Sequence, residues 1–316
     1  MRISTPTPWL NNFVLTRAIE GGRLSEFYRA ARSGQFLRLT EGVYVQSAAW
    51  AAMGEDARFL ARVHAVSLSS RAGILFSHFS AAALWRLPIL GQWPSKPEVT
   101  VGKGAVGPSR SAFTARQYAM PLEHDTIDGI RVTSLARTTI DIGRGAPLPT
   151  AVAMMDAALS EKDARVAPIT ARLTHEQLGT EFARIDSRRG RNRCRDAIEL
   201  ADGLSGSPGE SLSRVNIHLL GLPAPVLQQE FSDAHGLIGY VDFWWPKFGL
   251  IGEFDGKGKY LRDEMLAGRS IADVVLAEKR REDRLRALGP RVTRWGWDVA
   301  RSLPMLSRQL NDAGLR

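Results

Sequence analysis

The chain has 316 residues, 44% of them hydrophobic and 24% charged, with a formal net charge of +9 and one cysteine. Those values suit a folded protein of two or three domains and exclude a disulfide framework and a low-complexity chain. No apolar run reaches the length of a membrane span, and MRISTPTPWLNNF at the N-terminus has no signal-peptide core, so a cytoplasmic protein without a membrane partner is expected. The basic excess is uneven: residues 1–206 hold 26 Lys and Arg against 19 Asp and Glu, and residues 207–316 hold 16 against 14. If the partner is nucleic acid, most of the electrostatic grip lies N-terminal.

Phe13–Ile19 is a short apolar-periodic run ending at Gly21-Gly22, and Leu24–Ala31 is a second, ending at Ser33-Gly34. Both are expected to be helices. Phe36–Leu39 and Gly42–Val45 then read as a β-hairpin around Thr40-Glu41. Helix, helix, hairpin is the order of a small winged helix over residues 1–50. In such a domain Arg29, Arg32 and Arg38 would meet DNA phosphates, and the helix before the wing would read bases. Many domains of this arrangement bind protein instead.

Residues 51–200 read as an α/β middle domain. Ile74–Phe76 is an expected strand, and His78 begins a helix, where a packed or hydrogen-bonded structural role is expected. Thr133-Ser134 reads as a helix cap ahead of an i,i+4 pair, Arg137 and Asp141. Pro147–Pro149 looks like a linker before a helix over Thr150–Leu159. Five arginines between Arg188 and Arg195 open a helix through Leu200. Arg188, Arg189 and Arg191 there are either a further phosphate contact or a solvated face. No Ser/His/Asp or Cys/His arrangement, P-loop or GxGxxG occurs. Ser33-Gly34 through Val45, Ser77–Ala82, Leu84–Pro88 and Val132–Thr138 are similar to the AbiEi-family antitoxins of type IV toxin–antitoxin systems. The resemblance implies a winged helix followed by an α/β domain, an autoregulating DNA-binding repressor, and a cognate toxin as partner.

Residues 205–316 read as one further domain. Ser207-Pro208-Gly209-Glu210 opens a helix to about Leu220, with Ser at N-cap, Pro at N1 and Glu at N3. A strand over Val226–Phe231 follows. The most informative stretch is next: Gly239–Trp245 (GYVDFWW) and Leu250–Asp255 (LIGEFD), two runs of β-formers split by Pro-Lys-Phe-Gly. If Pro246–Gly249 is a hairpin loop, Trp245 pairs with Leu250 and Asp242 stands opposite Glu253. Tyr240, Asp242 and Trp244 then share a face with Ile251, Glu253 and Asp255. Like charges directly opposed lie ~5 Å apart at Cβ and repel, so a cation is expected between them. Hard oxygen donors point to Mg²⁺ or Mn²⁺, with Asp242, Glu253 and Asp255 as ligands; scattered histidines and a lone Cys194 do not suit zinc. Lys257 and Lys259 follow at once, placed to orient water and offset phosphate charge.

Asp273–Leu288 reads as a helix stopped by Gly289-Pro290. Glu278 and Arg281 lie on its apolar stripe of Val274, Leu285 and Leu288, which suggests a cleft. The helical spacing of Lys279–Asp283 and Arg280–Arg284 favours a solvated face instead. A strand over Arg291–Trp297 and a helix from Asp298 to about Ala313 are expected to close the domain.

Asp242, the hairpin and Glu253 resemble the PD-(D/E)xK nuclease superfamily, in the branch that looks like very-short-patch-repair endonucleases. The resemblance implies a restriction-endonuclease-like mixed sheet flanked by helices. It also implies a glutamate from the preceding helix, which would be Glu210. Asp255 stands where the pattern has lysine, so Lys257 or Lys259 would take that role, with Arg281 or Arg286 offsetting phosphate charge. The expected whole is an α/β (α+β) DNA-binding protein with a metal-dependent deoxyribonuclease domain. The alternative is a non-catalytic antitoxin or repressor whose C-terminal fold serves binding only. Phosphate chemistry does not separate DNA from RNA as substrate.

Overall fold

The computed structural model describes residues 11–70, 74–102, 112–118, 123–160, 172–256 and 271–316. The fold is α+β: among the described residues, helices flank three sheets, two of them mixed. The chain divides into two compact units, Met1–Ala146 with Ala164–Arg195, and Pro147–Asp163 with Asp196–Arg316.

The first unit begins with a three-stranded antiparallel sheet in the order β1 (Phe13–Leu15), β3 (Val43–Gln46), β2 (Phe36–Thr40). Phe13–Ile19 is therefore not the expected helix. Its first three residues pair with Val43–Val45, and Thr16–Ala18 make a single 3₁₀ turn. A short apolar run of Phe, Val and Leu satisfies either period, and a neighbouring strand edge decided it. α1 (Leu24–Arg32) and the β2–β3 hairpin form as expected, joined by a cluster of Phe27, Phe36 and Tyr44 with ring centroids 5.0 Å apart. α2 (Ser47–Ala52) and α3 (Glu55–Ser69) follow, and α3 buries Phe59, Ala61, Val63 and Val66.

A five-stranded mixed sheet completes this unit, in the order β6 (Thr114–Tyr118), β5 (Glu98–Gly102), β4 (Leu75–Phe76), β8 (Ile130–Thr133), β7 (His124–Ile127). α4 (His78–Leu84), α5 (Leu135–Gly145) and α7 (His175–Ala183) belong to the same unit. Ser134 caps α5 by accepting from the Arg137 N–H, and Arg137 pairs with Asp141 at 3.0 Å, both as expected. His78 has the structural surroundings expected of it: the Ser77 Oγ lies 3.0 Å from Nδ1, the buried Asp141 carboxylate 3.9 Å away.

The second unit is built on a four-stranded mixed sheet in the order β12 (Arg291–Trp295), β11 (Leu250–Phe254), β10 (Gly236–Trp245), β9 (Val226–Asp233). β11 and β12 are parallel and the other neighbours antiparallel. Parallel strands need a crossover, which runs through α10 (Ile271–Ala287). α6 (Leu148–Leu159) packs with α9 (Pro208–Leu219), and α8 (Arg191–Leu200) carries the chain in from the first unit. On one face of the sheet Phe243, Trp245 and Trp295 stack. Gly252 makes this possible, since a Cβ there would lie 2.6 Å from the Trp295 ring.

Two C-terminal expectations are corrected. The last strand stops at Trp295, and Trp297 opens a one-turn helix, α11 (Trp297–Ala300). Asp298–Ala313 is not one helix: Ser302 caps a separate α12 (Leu303–Asp312), with Pro304 in its first turn. Proline there removes a donor that a helix start does not need and a helix interior does.

Candidate functional site

Hairpin chemistry builds the site. Proline at 246 and Gly249 in the left-handed region (φ 53°) make the tight return, and Trp245 pairs with Leu250 as the loop length dictates. The β10–β11 ladder ends at Phe243 and Gly252, one step short of Asp242 and Glu253. Where the next backbone bond would be, the Asp242 carboxylate intervenes: its Oδ2 accepts the Phe254 N–H at 2.8 Å. Asp242, Glu253 and Asp255 line one cleft of about 170 Å³ together with Tyr240, Phe254, Glu278, Arg281 and Arg294.

In this structure arginines supply positive charge to one of the two opposed carboxylates, Glu253. Arg281 of α10 donates to Glu253 Oε1 at 2.8 Å, and Arg294, directly paired with Glu253 across β11 and β12, reaches Oε2 at 2.7 Å. Glu278 ties the two guanidiniums together, at 3.1 Å from Arg281 and 2.6 Å from Arg294. Glu253 is only 8% exposed. Burial pushes its carboxyl above the usual range and Asp242 pushes the same way, while Arg281 and Arg294 pull it down. So Glu278 and Arg281 turn into the cleft rather than lie on a solvated face. Of their apolar stripe, Leu285 is fully buried but Leu288 is 45% exposed, because the helix ends at Ala287.

Glu210 has the capping role that its N3 position implies. Its carboxylate is 5% exposed and accepts from Gly206 N at 2.8 Å and Ser207 Oγ at 2.7 Å. It is also linked to the site, because Gln228 Nε2 donates to Glu210 Oε2 at 3.2 Å and to Asp242 Oδ1 at 3.3 Å. Gln228 is a residue the sequence does not single out. Its backbone φ is +48°, a value a strand residue shows only under strain, and no pattern of residue types signals it. Arg294 was missed as well, because its place beside Glu253 depends on a parallel register that sequence spacing does not set. Arg286 is not part of the cleft lining; it binds Glu282 and the Val292 carbonyl. Arg214, one turn beyond Glu210, is held by Asp156 at 2.7 Å and by the Leu200 carbonyl. Lys257 and Lys259 lie outside the described residues.

Among the described residues, no group of three His, Cys, Asp or Glu side chains is set to hold a metal ion. The cleft still fits Mg²⁺ or Mn²⁺ in two respects. Its donors are hard carboxylate oxygens, and among the described residues its lining sets four carboxylates against two guanidiniums, a formal excess of two negative charges.

In the first unit, Arg29 and Arg32 on α1 and Arg38 on β2 are all exposed, so the expected phosphate-facing residues do reach solvent. Arg188 and Arg189 are also exposed. Arg191 is committed elsewhere: its guanidinium sits 4.4 Å from the Phe182 ring centroid and donates to the Ile185 carbonyl. Among the described residues no helix is long and apolar enough to cross a membrane.

No protein-family model matches the chain. Two proteins of Mycobacterium tuberculosis are similar to it: uncharacterized protein Rv2248 (strain ATCC 25618 / H37Rv) and uncharacterized protein MT2308 (strain CDC 1551 / Oshkosh), each 29% identical over 168 residues. The match takes in 49% of this chain and 59% of each relative, so less than two thirds of the relatives' length is spanned. The crystal structure of the RV2827C protein from the same organism is 14% identical, with a TM-score of 0.39 over 73% of this chain and 90% of that one.

Proposed function

We propose that the chain is a DNA-binding protein whose C-terminal unit is a metal-dependent phosphodiesterase of endonuclease type. One observation carries this reading: Asp242 and Glu253, from two neighbouring strands, and Asp255, just past the second, line a single cleft with Arg281 and Arg294. Asp242, Glu253 and Asp255 would hold Mg²⁺ or Mn²⁺. The chemistry supplied there when the ion is bound is water activation and charge neutralisation on the departing oxygen. Arg281 and Arg294 meet the anionic phosphate, and Lys257, with Lys259 as its substitute, orients the attacking water. Exposed Arg29, Arg32 and Arg38, with Arg188 and Arg189, hold the DNA backbone. Residence in a reducing cytoplasm suits the single buried thiol. A setting in phage defence, with a toxin as protein partner, follows from the antitoxin resemblance alone.

The test is cleavage of supercoiled plasmid and of duplex, mismatched and single-stranded DNA and RNA oligonucleotides with Mg²⁺ or Mn²⁺. Cutting should vanish with chelator and in Glu253→Ala. A second reading, a non-catalytic repressor or antitoxin, is favoured by the Arg281 and Arg294 contacts, which already give Glu253 its cations. Tight, salt-sensitive DNA binding without cleavage of any substrate would put that reading first.

A further inference from the structure

Gln228 sits in the middle of β9 with φ +48°. Strand pairing runs Val241 to Gln229 and Phe243 to Leu227, and the step that would join 228 to 242 is missing. The chain therefore gives up a regular ladder step and adopts a left-handed backbone at a residue other than glycine, side by side with a carboxylate of the proposed site. What this conformation achieves is the placement of one amide between two carboxylates. Gln228 Nε2 donates to Glu210 Oε2 at 3.2 Å and to Asp242 Oδ1 at 3.3 Å. The assignment of nitrogen rather than oxygen to that position follows from the network, since an amide oxygen there would face two acceptors. Asp242 is thus gripped from both ends, Oδ1 by Gln228 and Oδ2 by the Phe254 N–H.

We infer that Gln228 is a positioning residue: it fixes the orientation of the Asp242 carboxylate and separates it from Glu210, so that Asp242 is presented to a divalent cation. The inference rests on the metal reading of the cleft. Groups that orient a metal-binding carboxylate change metal affinity without touching the ion. A residue serving only the fold changes stability instead, and the two roles predict opposite results for one substitution. Gln228→Gly relieves the positive φ and removes the amide.

The experiment is calorimetric titration of Mn²⁺ into the full-length chain, beside the thermal midpoint of the metal-free protein, for wild type, Gln228→Gly and Gln228→Met. Both variants should bind Mn²⁺ more weakly by about 10–100-fold, with the glycine variant's metal-free midpoint unchanged or higher. The methionine variant keeps the side-chain length without the donor and decides the matter if the glycine variant does not fold. Wild-type Mn²⁺ affinity in a folded variant overturns the role of Gln228 and leaves the metal site standing. Midpoints lowered by more than about 5 °C in both variants, with no change in affinity that survives correction for unfolded protein, assign Gln228 to the fold and also overturn it. A wild type that takes up no Mn²⁺ overturns the metal reading itself, and the positioning role with it.

Discussion

Arg281→Met is the substitution that best probes the cleft. The wild-type guanidinium donates to Glu253 at 2.8 Å, to Glu278 at 3.1 Å and to the Tyr240 carbonyl at 2.7 Å, and its side chain is 23% exposed. Breaking a fully buried pair by deleting one partner costs roughly 3–5 kcal/mol. Here Arg294 keeps its hold on Glu253 Oε2 at 2.7 Å, and methionine replaces the alkyl stem. The expected loss is therefore smaller, about 1–3 kcal/mol at neutral pH. It should depend on pH in a defined direction. Glu253 is held above its ordinary value by burial, so the folded protein binds that proton more tightly than the unfolded chain. Its contribution is fully present at low pH and is lost as pH rises through the folded value. Removing Arg281 takes away a pull that lowers the value, so the wild type and the variant should differ least when Glu253 is protonated and most when it is ionised. Urea unfolding at a pH below the ordinary glutamate value of about 4.5, and again at about pH 8, measures this. An equal loss at both pH values, or none, would refute the argument that Arg281 serves chiefly as the counter-charge of Glu253.

Three further outcomes are expected. His64, 5% exposed, has its value lowered by burial from 6.5 to about 4, so it contributes stability above pH 6.5 that is lost as pH falls toward 4. The loss should approach about 3 kcal/mol and shrink in His64→Gln, read from denaturant midpoints across that range. The Cys194 thiol is fully buried and pushed up to about 12, so a thiol reagent at mildly alkaline pH should modify the native chain at least ~100-fold more slowly than the unfolded one; comparable rates would contradict that burial. Replacing Arg29, Arg32 and Arg38 together by alanine should lower the slope of log affinity for DNA against log salt by about 2–3 if all three meet phosphates. An unchanged slope would remove them from the interface.

How much of this was legible in the sequence depended on the length scale of the signal. The hairpin register was, because a four-residue loop with proline first and glycine last sets the pairing of Trp245 with Leu250 locally. Caps at Ser134, Ser207 and the Arg137–Asp141 pair were legible for the same reason. Phe13–Leu15 was misread because its strand character comes from Val43–Val45, thirty residues on. The inward turn of Glu278 and Arg281 was half legible: their place on the apolar stripe points to a cleft, while the charge spacing along the helix points to solvent, and only the position of α10 on the sheet decides between them. Arg294 needed a parallel register, and Gln228 a backbone angle; neither leaves a trace in residue type.

The electrostatics of the cleft connect its two readings. Opposing Asp242 and Glu253 at the open end of a hairpin creates repulsion that some cation must offset. The chain supplies two guanidiniums, yet it also places Asp255 and Glu278 in the same lining, which restores the negative excess that the arginines would cancel. A surface that needed only neutrality would gain nothing from that restoration, since even a half-buried carboxylate such as Asp255 or Glu278 carries a partial desolvation cost. An excess of two charges beside hard oxygen donors is what attracts a divalent ion. In the proposed metal reading, arginine and metal are alternative partners for Glu253. Under that proposal, a phosphodiester entering the cleft competes for the guanidiniums of Arg281 and Arg294 and frees Glu253 for the ion.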